Sequence, residues 1–108
     1  MDLDTYQRAA QQTAIYLDAH RVVYPALGLA SEAGEVAGKI KKVLRDQGGD
    51  FEAAPIGALR DELGDVLWYL AVLATDLGLS LDEIATSNLD KLGARAERGV
   101  LGGSGDRR

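Results

Sequence analysis

Two stretches of this chain, Leu29-Ala-Ser-Glu-Ala-Gly-Glu-Val36 and Leu59-Arg-Asp-Glu-Leu-Gly-Asp-Val66, are versions of one pattern, L-x-x-E-x-G-[E/D]-V. The correspondence runs on beyond them, with Ile40 matching Leu70 and Val43 matching Leu73. At about 100° per residue, Leu29, Ala33, Val36, Ile40 and Val43 fall on one helical stripe, and Leu59, Leu63, Val66, Leu70 and Leu73 repeat it. Glu32 and Glu62 lie at the edges of those stripes, with Glu35 and Asp65 about 60° further round. Both acidic pairs therefore border an apolar face. Packed against each other, the two helices bring four carboxylates together. This is a pseudo-repeat of one helix; a solenoid would need at least three units.

Helical spacing also dominates on either side. Asp4 is placed to cap a first helix, with Gln7 three residues on, running to about His20. Pro25 suits the first turn of a second helix, which ends near Asp46 ahead of Gly48-Gly49. Pro55 opens a third, stopped at Gly78, and Ser80-Leu81-Asp82-Glu83 reads as a capping box for a fourth that Gly99 ends. Only Val22-Val23-Tyr24 looks briefly extended. The pattern predicts an all-α, four-helix antiparallel bundle over residues 1–99. A Gly-rich arm follows over residues 100–108, read as flexible or as closing over a ligand.

Composition narrows the function. The chain has 108 residues, a formal charge of −5 and 46% hydrophobic residues, which excludes a disordered protein. The acidic balance argues against a partner that is a nucleic-acid polymer or an anionic membrane, and no apolar run reaches membrane-span length. Neither a secretory signal nor a cysteine is present, so the expected setting is the cytoplasm. A core this small is expected to need a second subunit.

Four clustered carboxylates repel one another and resist desolvation unless a counter-charge is supplied. A divalent cation is the simplest one. All-oxygen ligands without Cys or a neighbouring His favour Mg²⁺, with Mn²⁺ as substitute. A di-iron site would want Glu-x-x-His pairs, and the single His20 makes none. The alternative is a solvated acidic face bridged to Lys39, Lys42 and Arg60. Gly34 and Gly64 each cost about 1 kcal/mol within a helix, and close helix approach at the acids is the expected compensation.

Lys39 and Lys42 continue the acidic stripe of helix two, and Asn88, Lys91 and Arg95 share one face of helix four. Metal-bound carboxylates beside directed cations make a phosphate site. Gln7, Gln11, His20, Tyr24 and Tyr69 are the candidates for contact with a base, by amide hydrogen bonds or stacking. Trp68 is read as a packing or subunit-contact residue. The Gly-rich arm lacks the Lys-Ser/Thr ending of a P-loop and follows no strand, which excludes a Walker site.

The Glu32-x-x-Glu35 and Glu62-x-x-Asp65 pair, followed by Asn88-x-x-Lys91-x-x-x-Arg95, resembles the MazG family over roughly residues 5 to 99. These are all-α nucleoside triphosphate pyrophosphohydrolases. The ending Gly103-Ser-Gly-Asp106 is also similar to that of compact single-domain bacterial and phage members. The resemblance implies cleavage of an NTP or dNTP to the monophosphate and pyrophosphate. It implies Mg²⁺ on Glu32, Glu35, Glu62 and Asp65, and phosphate contacts from Lys91 and Arg95. A dimer or a tetramer of two dimers would complete each site. Glu35 is the expected proton acceptor from the attacking water. A phage-encoded member would work in the host cytoplasm, where dGTP is one candidate substrate. Two alternatives stay open: a helical module that senses nucleotide or binds a partner without hydrolysis, and a related phosphate chemistry such as phosphoribosyl-ATP cleavage. The charge of −5 then argues against nucleic-acid polymers but not against nucleotides, because bound Mg²⁺ would offset the local acidity.

Overall fold

A computed structural model describes residues 1–108. Its regular elements are all helical: α1 Leu3–Gln11, α2 Val23–Asp46, α3 Ile56–Asp76 and α4 Leu81–Arg98, with single 3₁₀ turns at Asp18–His20 and Phe51–Ala53. The chain is all-α with four helices, as its spacing predicts. No single helix is long and apolar enough to cross a membrane.

Capping chemistry explains both ends of α4 and the start of α1. Ser80 accepts from the Glu83 N–H and starts α4, and Gly99 ends it at φ 71°. At α1 the cap is Asp2, which accepts from the Thr5 N–H at 2.7 Å, and not Asp4, which lies inside the first turn. That helix stops at Gln11 well short of His20. Residues 12–22 instead form a loop fastened to the end of α3. The Tyr16 hydroxyl donates to Asp76 Oδ2 at 2.7 Å, the Val22 N–H donates to the same oxygen at 3.0 Å, and Arg21 Nε stands 3.6 Å from Oδ1. Burial pushes the Asp76 carboxyl up, but the bonds from Tyr16 and Val22 and the Arg21 charge outweigh it and hold it below the usual range. Tyr16 is pushed up to about 12, by burial first and then by Asp76. Val22 needs this fastening: its φ of 66° and ψ of −55° make a γ-turn, closed by the Val23 N–H on the Arg21 carbonyl at 2.7 Å. That conformation is rare and strained for a β-branched residue.

Helices α2 and α3 form an antiparallel hairpin in which Val43 and Leu59 are buried and Lys39 meets Glu62. The close approach between them lies at Gly28, where a Cβ would run into the Tyr69 ring. Gly34 and Gly64 have nothing within 4 Å of a built Cβ, so the expected contact at the acids is absent. Helix α1 lies along α3, and a small core of Ala10, Ala71, Val72, Ala74 and Leu81 fills the junction. Gln7 holds that junction together. Its Nε2 donates to the Thr75 hydroxyl at 3.0 Å and the Leu79 carbonyl at 2.9 Å, and its Oε1 accepts from the Leu81 N–H at 2.8 Å.

Helix α4 leaves α3 at 102°. Helices α1 and α2 each run antiparallel to α3, with Gln7 meeting Thr75 and Thr13 meeting Trp68, while α4 projects beside α1. The radius of gyration is 16.8 Å, against about 13 Å for a compact domain of this length. Ten residues are buried, and Ile15, Leu27, Leu63 and Leu89 are more than half exposed. On α4 the expected apolar face is open at Leu89 and Leu92, while Arg95 from the polar face is 4% exposed.

Candidate active site

The hairpin register sets the acids. Glu32 on α2 faces Glu62 and Asp65 on α3, and one carboxylate oxygen from each lies within 4.8 Å of the others. Glu35 is exposed and stands outside this trio, yet close enough to add to the field on Glu32. Hydrogen bonding with Glu62 is the main cause that pushes the Glu32 carboxyl up, followed by desolvation and the charges of Glu62, Asp65 and Glu35. The Lys39 ammonium sits at the rim, 3.5 Å from Glu62 Oε1. Three hard oxygen donors of this kind fit a hard divalent cation such as Mg²⁺ or Mn²⁺.

One groove lies beside the trio, and a second hollow lies along a row of aromatic rings that leads from it. Lys39 and Lys42 line a groove of about 380 Å³ with Val43, Asp46, Gln47 and Pro55. The other is aromatic. His20 and Tyr24 line a hollow of about 290 Å³ with Tyr16 and Trp68. Tyr16 stacks on Tyr24 with ring centroids 5.0 Å apart, Tyr24 lies 6.2 Å from Tyr69, and Tyr69 meets Trp68 edge-on at 5.0 Å. Trp68 also donates from Nε1 to the Thr13 hydroxyl at 2.8 Å. The row of rings ends at the acids: Tyr69 is pushed up first by its hydrogen bond with Tyr24 and by burial, then by the charges of Tyr24, Glu32 and Asp65. Tyr6 of α1 is pushed up by burial and then by Asp65.

Other candidates lie elsewhere. Gln7 spends both ends of its amide inside the fold, and Gln11 lines a separate polar groove with Asp4, Arg8 and Thr75. Asn88 and Lys91 line a groove along α4 with Leu79 and Glu83. Lys91 and Arg95 bind Asp106, at 2.8 and 3.2 Å from its Oδ1. Sequence reasoning passed over Tyr6 and Asp76, and named Asp106 only as the last residue of the Gly103-Ser-Gly-Asp106 ending.

Comparison with known proteins agrees with this geometry. Residues 25–100, which include α3, α4 and all but the first two residues of α2, match the MazG nucleotide pyrophosphohydrolase domain. The chain is similar over its full length, and over the full length of the relative, to the Gene 37 protein of Mycobacterium phage L5, at 46% identity. No solved structure matches. The chain belongs to the MazG nucleotide pyrophosphohydrolase family.

Proposed function

We propose that this chain hydrolyses a nucleoside or deoxynucleoside triphosphate to the monophosphate and pyrophosphate, with Mg²⁺ as cofactor and Mn²⁺ as substitute. The observation that carries this reading is the meeting of Glu32, Glu62 and Asp65 from two copies of one helix pattern, beside a groove lined by lysines. Glu32, Glu35, Glu62 and Asp65 are the residues that would hold the cation. When bound, Mg²⁺ offsets the charge of acids and triphosphate together and makes water more acidic. Glu35, the exposed one of the two site acids on α2, takes the proton from the attacking water. Lys39 and Lys42 hold phosphate oxygens. His20, Tyr24 and Tyr69 take the base: Tyr69 stands in the field of Glu32 and Asp65, Tyr24 is its ring neighbour and His20 lines the hollow with Tyr24, whereas the Gln7 amide is spent inside the fold.

The second half of the proposal is assembly. Asn88, Lys91 and Arg95 lie on a helix that projects at 102° from α3, and apolar side chains stay open on α2, α3 and α4. A homodimer, or a tetramer of two dimers, would cover them and bring α4 of one copy towards the acids of another. The phage relative makes nucleotide-pool remodelling in a host cytoplasm the natural role, with dGTP among the substrates to try.

A panel of the eight common NTPs and dNTPs tests the reaction, with products resolved by chromatography. At least one should yield the monophosphate and pyrophosphate in equal amounts, only with Mg²⁺ or Mn²⁺ present. Release of orthophosphate and a diphosphate would contradict the assigned bond. No hydrolysis of any of the eight would leave a binding module.

A further inference from the structure

The segment after α4 is a built loop. The Arg108 guanidinium donates from Nε to the carbonyls of Val100 at 3.2 Å and Gly102 at 2.9 Å, and from Nη2 to that of Leu101 at 2.9 Å. It also bonds the Gly105 carbonyl, and Arg98 Nη2 donates to the Arg108 carbonyl at 2.6 Å. Gly103 and Gly105 take φ of 95° and 86°, the left-handed region that other residues avoid. The loop thus closes round its own arginine.

Its product is the placement of Asp106. Oδ1 accepts from Lys91 Nζ at 2.8 Å and from Arg95 Nη2 at 3.2 Å, and the Asp106 carbonyl accepts from Arg95 as well. Arg95 is buried with its Nε unpartnered, so it serves as a fixed post with no open face for a ligand. Lys91 is different: its side chain is 39% exposed, and two of its three donors are uncommitted.

We propose that Asp106 is a positioning residue, which braces Lys91 against the buried Arg95 so that the ammonium meets a phosphate or pyrophosphate anion already ordered. The inference rests on the pyrophosphohydrolase reading and deepens it. A charged partner at 2.8 Å removes the rotamer freedom that Lys91 would otherwise lose on binding. A detachable plug over the two cations would be weakly rooted, whereas this loop is tied at Val100, Leu101, Gly102, Gly105 and Arg108.

The test is a double-mutant cycle on Asp106→Asn, which keeps the shape, and Lys91→Met. We expect each single variant to lower kcat/KM about tenfold, mainly through KM, and the double variant to fall no further than Lys91→Met alone. Affinity for inorganic pyrophosphate with Mg²⁺, measured by calorimetry, should follow the same pattern without needing turnover. A gain in activity or affinity in Asp106→Asn would mean that the carboxylate blocks the cations, and would overturn the proposal. Losses that multiply in the double variant would overturn it too. If the wild type turns over no nucleotide, the pyrophosphohydrolase reading fails by itself, and the pyrophosphate cycle still decides the role of Asp106.

Discussion

Lys39 Nζ lies 3.5 Å from Glu62 Oε1, so the one cation at the rim of the acidic trio comes from the same hairpin that builds it. Without Mg²⁺ this ammonium is the nearest counter-charge. Lys39→Met should therefore destabilise the metal-free protein by about 0.5–1 kcal/mol, the scale of a partly exposed ion pair. Saturating Mg²⁺ should shrink that difference in melting temperature. An equal deficit with and without the cation would place Lys39 outside the cluster's field.

The pH dependence of stability should show two opposite signs. Glu32 is pushed up in the folded protein, so its contribution is fully present below the unfolded pKa and is lost as pH rises through the folded value. Metal-free protein should then gain stability on acidification from neutrality towards the usual carboxylate range, and Glu32→Gln should remove that gain. Asp76 is held down, so its contribution is present above the unfolded pKa and is lost as pH falls through the folded one. Asp76→Asn should flatten the acid limb. Melting curves from pH 7 to 3 on both variants check the two signs.

Glycines in the hairpin should respond in opposite directions to alanine. Gly28→Ala drives a methyl into the Tyr69 ring and should cost about 1–3 kcal/mol, the range for overpacking. Gly34→Ala meets nothing within the chain and should stabilise the protomer by up to about 1 kcal/mol of helix propensity. Denaturant midpoints of the two variants give the comparison directly.

Relief of strain should be visible at Val22. A left-handed, non-glycine residue costs about 1–3 kcal/mol. Glycine there gives back about 0.5–1 kcal/mol in chain entropy. Val22→Gly should raise stability by about 1 kcal/mol on balance, and a clear loss on denaturation would mean that the turn is not strained.

Much of this was legible in the residues. The repeated L-x-x-E-x-G-[E/D]-V pattern fixes the phase of both hairpin helices, and with it the meeting of Glu32, Glu62 and Asp65, because helical phase is a local property. The Ser80 cap and the Gly99 stop are equally local. What was hidden depends on contacts distant along the chain. The Tyr69 ring selects Gly28 over Gly34 as the close approach, and nothing near Gly28 announces it. Asp76 ends α1 early by drawing Tyr16 and Val22 towards α3, against a helical pattern that continues to His20. Gln7 has the composition of a base reader, yet its amide is consumed by Thr75, Leu79 and Leu81. The direction of α4 follows from the turn at Leu77–Ser80 and from the absence of a surface on this chain to cover Leu89, neither of which periodicity reports.

The most direct test of the site is pyrophosphate release by the wild type and by Glu62→Gln, measured side by side as Mg²⁺ is titrated against the triphosphate that the panel selects. We expect wild-type release to rise and saturate with Mg²⁺, and the folded variant to lose at least about a hundredfold in rate, since a ligand to a bound cation is removed. Glu62→Gln that is folded and releases pyrophosphate at the wild-type rate and Mg²⁺ dependence would contradict the site.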